Sequence, residues 1–214
     1  MWKWTFVKPS ETVYDGDMDM IAQNGPSGNG PIGKKNFSRA ECPRPAPPVL
    51  SEEELAHGMA LALEEARLAA SEGEVPAGCV ILMPPPPPAT IRNPTLFRVL
   101  ARAHNRTEGL GDPTAHAEVQ AISQAAATLG DWRLDGTVLF VTKEPCPMCA
   151  GAIVLARIPL VVYGMVDPRR GGVSVFNILN HPGLNHRAEV RAGVMEEPCR
   201  ELFLSFFRDA RNGK

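Results

Sequence analysis

The segment His116-Ala117-Glu118 is followed some thirty residues on by Pro145-Cys146-Pro147-Met148-Cys149. One imidazole and two thiolates make a set of borderline-to-soft ligands that suits zinc. A closed structural zinc site normally takes four protein ligands. Three leave a position for water, and Glu118, next to the first ligand, can move that water's protons. A Cys-x-x-Cys pair puts its sulfurs one turn apart, within reach of one ion. Alone it is only moderately specific, because dithiol redox pairs share the spacing. The His-x-Glu half raises that specificity. Three other uses compete: His116 as a satisfied core histidine, Cys146 and Cys149 as a redox pair, and a fourth ligand from Cys79 or Cys199 that closes the site. Cys79 and Cys199 lie in apolar surroundings and read as small core residues. Residues i and i+2 on a helix do not face the same way, so periodicity gives no reason for His116 and Glu118 to share a site.

Both motif halves follow strands or loops and open helices, where unpaired N–H groups and the helix dipole favour thiolates. Ser51-Glu52-Glu53-Glu54 is a capping box, and Leu55, Met59, Leu63 and Ala66 recur at helical spacing until Gly73. Val75 to Met83 and Leu96 to Ala103 read as strands. The stretch Pro84 to Pro88 between them reads as a stiff loop, with a polyproline docking segment as the alternative. A helix follows from about Ala115 to Leu129, then a strand from Thr137 to Thr142, a helix from Met148 to Arg157 and a strand from Leu160 to Val166. Val173 to Leu179 reads as helical, Ala188 to Val194 as a strand, and Glu197 to Arg211 as a final amphipathic helix. Alternating strands and helices imply an α/β layered fold around a central sheet.

The chain has 214 residues, an apolar fraction of 44% and a formal charge of −2. One domain with a terminal extension fits this length. The charge gives no sign of a nucleic-acid binder, so any such role must be argued from the site. Five cysteines, two of them in the Cys-x-x-Cys pair, favour a reducing compartment over a disulfide framework. The longest apolar stretch, Ala150 to Val166, is broken by Arg157 and Pro159, so no membrane span is expected. A cytoplasmic protein is the expectation. Residues 1–50, rich in Gly and Pro, read as a disordered or weakly ordered leader, with a misassigned translation start as the alternative. The folded domain is expected over 51–214.

The pattern His-x-Glu…Pro-Cys-x-x-Cys is an established signature of the zinc deaminases that act on nucleobases. From about Ser51 onward the chain resembles the bacterial tRNA-specific adenosine deaminases of that superfamily. The similarity covers Glu74 to Gly78, Asn105-Arg106, Asp112 to Glu118, Glu144 to Ala152, Arg157-Ile158, Val161 to Gly164, His181 to Arg187 and Phe206 to Arg208. Asp112 to Ala115 and the last two runs point to the tRNA branch; the metal motif is common to the superfamily. The resemblance implies a three-layer α/β/α cytidine-deaminase-like fold with a central mixed five-stranded sheet. It implies one zinc ion on His116, Cys146 and Cys149, with Glu118 as proton shuttle. It also implies substrate contacts from Asn105, Ala117, Pro145, Asp167 and Arg208. Asn105 would touch the flipped base, and Asp167 and Arg208 the anticodon loop. The implied reaction is deamination of adenosine to inosine at the wobble position of a tRNA anticodon stem-loop, by a homodimer. The alternatives are a deaminase of a free base or nucleotide, such as guanine or cytosine, and a catalytically inert zinc-stabilised binding module. Arg208 and Arg211 would hold RNA phosphates, or else complement the helix C-terminal dipole. The chain departs from the family at Lys143, at Cys79 and at Val173-Ser174-Val175.

Overall fold

The computed structural model describes residues 46–85 and 97–213. The leader up to residue 45 and most of the proline-rich stretch lie outside the described residues. Among these described residues ten elements follow in chain order: α1 (Glu52–Ser71), β1 (Gly78–Met83), β2 (Arg98–His104), α2 (Thr107–Leu110), α3 (Ala117–Leu129), β3 (Val138–Lys143), α4 (Pro147–Leu155), β4 (Leu160–Met165), β5 (Glu189–Ala192) and α5 (Glu196–Arg211). The strands form one sheet in the order β2-β1-β3-β4-β5. β1 is antiparallel to β2 and to β3, whereas β3, β4 and β5 run parallel. The sheet is therefore mixed and five-stranded, as the resemblance implied.

Alternation along the strands builds a core on each face. Leu139 and Val141 of β3 join Ala117, Ala121 and Ala125 of α3 and Ala150 and Ile153 of α4. Val138 and Phe140 join Leu55, Met59 and Leu63 of α1 and Cys199 of α5. Helices cover both faces, which is why the central strands read as continuous apolar runs. The α1 boundary follows its capping box: the Ser51 hydroxyl accepts from the Glu54 N–H at 3.3 Å and the Glu54 carboxylate accepts from the Ser51 N–H at 2.7 Å. Gly78 lets α1 approach β1, because a Cβ there would stand 2.1 Å from the Ala62 carbonyl oxygen.

One predicted element is absent. Val173 to Leu179 is a series of turns, with the N–H groups of Val175 and Phe176 both directed at the Gly171 carbonyl. A side chain from outside the segment takes the Val173 and Ser174 N–H groups, and Asn177 adopts a positive φ of 50°. The short helix α2, which sequence periodicity did not signal, is held by Glu74. That buried carboxylate accepts from the Gly109 N–H at 2.7 Å and the Thr107 hydroxyl at 3.1 Å.

Candidate active site

His116 enters the site through a constrained turn. The Asp112 carboxylate accepts from the Thr114 N–H and hydroxyl at 2.8 and 2.7 Å, and the Arg106 N–H donates to the Ala115 carbonyl at 3.0 Å. His116 then forms the N-cap of α3 in extended conformation, with φ −73° and ψ 151°. Its imidazole does not cap the helix. The Asn105 carboxamide oxygen instead accepts from the Ala117 N–H at 2.9 Å, relieving one of the orphan donors of the first turn. The extended N-cap also removes the facing problem raised by the sequence: His116 stands outside the helix and Glu118 inside it, so the helical i, i+2 rule does not apply. Glu118 is buried, and its carboxyl lies against the Cys149 thiol.

Cys146 repeats this arrangement as the extended N-cap of α4, with Pro147 in the first turn where its missing N–H costs nothing. Cys149 follows one turn later and is fully buried. The Cys146 and Cys149 sulfurs are 3.6 Å apart, and the His116 Nδ1 stands 3.7 Å from the first and 3.5 Å from the second. A tetrahedral ion with the bond lengths of zinc, about 2.3 Å to sulfur and 2.0–2.1 Å to nitrogen, spans ligand–ligand edges of about 3.5–3.8 Å. The three atoms therefore fit one metal ion, and among the described residues no fourth His, Cys, Asp or Glu joins them. Cys79 and Cys199 sit in the two cores, as expected of small buried residues.

Hydrogen bonding polarises the ligand set. The bond from the Cys149 thiol, joined by His116 and opposed by burial, holds the Cys146 thiol down at about 3. Cys149 is raised in turn by that shared bond and by burial. His116 is raised, chiefly by its hydrogen bond with Cys146. Burial raises the Glu118 carboxyl from its ordinary pKa, the direction that suits a group that both takes and gives protons.

The remaining residues singled out by sequence divide into two groups. Asn105, Ala117 and Pro145 adjoin the turns that carry His116 and Cys146: Asn105 bonds Ala117, and the Pro145 carbonyl accepts from the Gly172 N–H at 2.8 Å. Asp167 is buried beside the end of β3, where its N–H donates to Glu144, and Arg208 is exposed on α5. The Asp167 carboxylate pairs with Lys143 and accepts from the Arg169 and Arg170 N–H groups at 3.0 and 3.1 Å. Burial raises its pKa, but Lys143 and the two N–H groups prevail and bring it to about 2. Arg208 lines an open groove with Arg67 of α1 and Ser205, beside Glu197 and Glu201. Arg211 donates to the Phe207 carbonyl of its own helix at 3.2 Å.

Sequence reasoning gave no role to two residues next to the cysteines. Lys143 ends β3, pairs with Asp167 and has its ammonium 5.8 Å from the Phe203 ring centroid. Glu144, fully buried between β3 and Cys146, accepts four hydrogen bonds from the loop after β4. The signal available for Glu144 was a charged residue beside an apolar strand, which must be partnered if buried.

Two helix N-termini that converge on one ion-sized triangle, with a buried carboxyl against it and a mixed sheet beneath, define the deaminase class of hydrolases. The family model of the MafB19-like deaminases matches residues 54–211. A tRNA-specific adenosine deaminase of Bacillus subtilis is 44% identical over 155 residues, 72% of this chain and 88% of that protein. One of Aquifex aeolicus is 43% identical over 153 residues, 71% of this chain and 93% of that protein. A solved structure described as a study of A-to-I editing by tRNA:A34 deaminases at the wobble position superposes with a TM-score of 0.61 at 42% identity, covering 68% of this chain and 98% of that one. The chain belongs to this deaminase family, together with the bacterial tRNA-specific adenosine deaminases.

Proposed function

We propose that this protein hydrolyses adenosine to inosine at the wobble position of a tRNA anticodon, using one zinc ion held by His116, Cys146 and Cys149. The observation that carries the reading is a three-ligand triangle with a buried glutamate against it, in a chain so similar to proteins named for this activity. Zinc bound there supplies a nucleophile from water near neutral pH. Glu118 takes a proton from the water that adds to C6 of the adenine and delivers it to a ring nitrogen; it then takes the proton of the new C6 hydroxyl and gives it to the departing amino group, which leaves as ammonia. Adenosine and water become inosine and ammonia. Asn105 commits its carbonyl oxygen to Ala117, which leaves its NH2 group for the base. Ala117 and Pro145 wall the pocket, and Asp167 and Arg208 meet the anticodon loop, whose splayed bases expose the target atom. Residues 51–214 form the catalytic domain. Reduced thiols and a tRNA substrate agree with the cytoplasm, and among the described residues no helix is long and apolar enough to cross a membrane.

Incubation with total tRNA followed by sequencing should reveal inosine at anticodon wobble positions. Deamination of free adenosine, guanine or cytosine with none on tRNA would move the protein to the free-base class. In the same assay, Arg208→Ala should weaken tRNA binding and lower the magnitude of its salt slope by about 1, the loss of one phosphate contact. Arg211→Ala, which loses only a bond within its own helix, should keep the parent slope. Equal slopes for all three proteins would remove Arg208 from the interface.

The active assembly in this reading is a homodimer joined through α4. That helix is apolar all round, and Met148, Gly151, Ala152 and Leu155 form an outward stripe with Leu155 71% exposed. Light scattering should give twice the chain mass, falling to one chain mass for Leu155→Glu. A monomeric parent would sink this part of the reading.

A further inference from the structure

The Glu144 side chain is buried at the point where β3 gives way to the Cys146 turn, and the loop from Asp167 to Ser174 supplies all four hydrogen bonds that it accepts. One carboxylate oxygen accepts from the Val173 N–H at 3.1 Å and the Ser174 N–H at 2.6 Å. The other accepts from the Asp167 N–H at 2.8 Å and the Ser174 hydroxyl at 2.9 Å. The loop is pressed onto the ligand-bearing turn by its two glycines. A Cβ on Gly171 would stand 2.2 Å from a Glu144 carboxylate oxygen, and one on Gly172 would stand 2.9 Å from the Pro145 and 3.1 Å from the Cys146 carbonyl oxygen. The Gly172 N–H closes the contact on the Pro145 carbonyl. Backbone donors of this kind are satisfied in an ordinary loop by water or by neighbouring carbonyls. Here a single acidic side chain, one residue from the metal-ligand turn, satisfies three of them and a hydroxyl besides.

We infer that Glu144 is a positioning residue that fixes the Asp167–Ser174 loop against the Cys146 turn, and with it the distance between the reacting centre and the RNA contact at Asp167. Ser174 is its dedicated partner, giving both its N–H and its hydroxyl. The clamp makes no contact with the reacting atoms. It sets substrate placement and leaves the proton transfers to Glu118. This role rests on the tRNA reading above for the identity of the substrate, though not for the existence of the clamp.

The test uses the zinc-loaded full chain and an anticodon stem-loop RNA. Ser174→Ala removes one of the four bonds and should raise KM about threefold; Glu144→Gln leaves one acceptor oxygen among four donors and should raise it at least about tenfold. In both, kcat should stay within about twofold of the parent and zinc at one ion per chain. The double variant should be little worse than Glu144→Gln alone, because both changes break the same clamp. Hydrogen exchange at Val173 and Ser174 should accelerate in each variant. An unchanged KM and unchanged exchange in Ser174→Ala overturn the clamp, and that variant decides the matter should Glu144→Gln fail to fold. Loss of zinc or of kcat in Glu144→Gln with KM intact overturns it too, by placing the action of Glu144 on the metal ligands. A parent inactive on RNA refutes the substrate reading alone, and the exchange rates still judge the clamp.

Discussion

Glu118→Gln should keep one zinc ion per chain, bind tRNA as tightly as the parent and turn over at least about 10³-fold more slowly, since general acid–base catalysis contributes typically 10²–10⁴ and one residue here serves several transfers. The glutamine matches the glutamate in volume, so no cavity opens in the buried site. Its amide is neutral, and the parent carboxyl is one whose charged form burial already disfavours. The variant should therefore melt no lower than the parent, a case of a catalytic group held at some cost to stability. Metal analysis, tRNA affinity and single-turnover inosine formation are the measurements. Turnover within tenfold of the parent would remove Glu118 from the chemistry. Loss of zinc would make it a ligand and sink the division of roles.

The second large effect concerns the metal triangle. Cys149 is fully buried at its centre, against both Cys146 and Glu118. Cys149→Ala should hold less than about a tenth of the parent's zinc, because the remaining His and Cys give two ligands where a bound ion needs at least three. Inosine formation should fall below detection. A metal that binds only the folded chain stabilises it by about 4 kcal/mol when free metal stands about 1,000-fold above Kd. For a domain of this size that is a melting shift of about 8–16 °C. A strong chelator should thus lower the melting temperature of the parent by about that much and leave Cys149→Ala unchanged. A variant that keeps full zinc, or a parent that melts alike with and without chelator, would contradict the site.

Much of the metal site was legible in the chain because ligand chemistry is local. Cys146 and Cys149 stand on one turn of one helix, and His116 and Glu118 are near neighbours in sequence, so residue type and spacing suggested each half of the donor set, and the family resemblance joined the two. The capping box of α1, the apolar strand runs and the glycine that ends the first helix were legible for the same reason: each depends on residues within a few positions of one another. The charge of the whole chain was silent about RNA, because such a contact is made by a few side chains and not by the average.

Other features depended on distant parts of the chain. Val173 to Leu179 reads as helical, yet Asn177 takes a positive φ of 50° and the Ile178 N–H reaches back to the Gly172 carbonyl, while Glu144, some thirty residues away, holds the segment's first two N–H groups. The segment is shaped there by contacts that its own sequence does not contain. The common site of His116 and Glu118 could not follow from helical periodicity. It required His116 to stop short of the helix in extended conformation, with Asn105 from the end of β2 taking the first free N–H in its place. Nothing in the sequence joined Lys143 to Asp167; the parallel pairing of β3 with β4 brought the ends of both strands together. Sequence by itself named the candidate metal ligands and the candidate proton carrier. The tertiary structure decided which donors those atoms share, because hydrogen bonds and ion pairs between residues far apart in the chain exist only once the sheet has set its strand order.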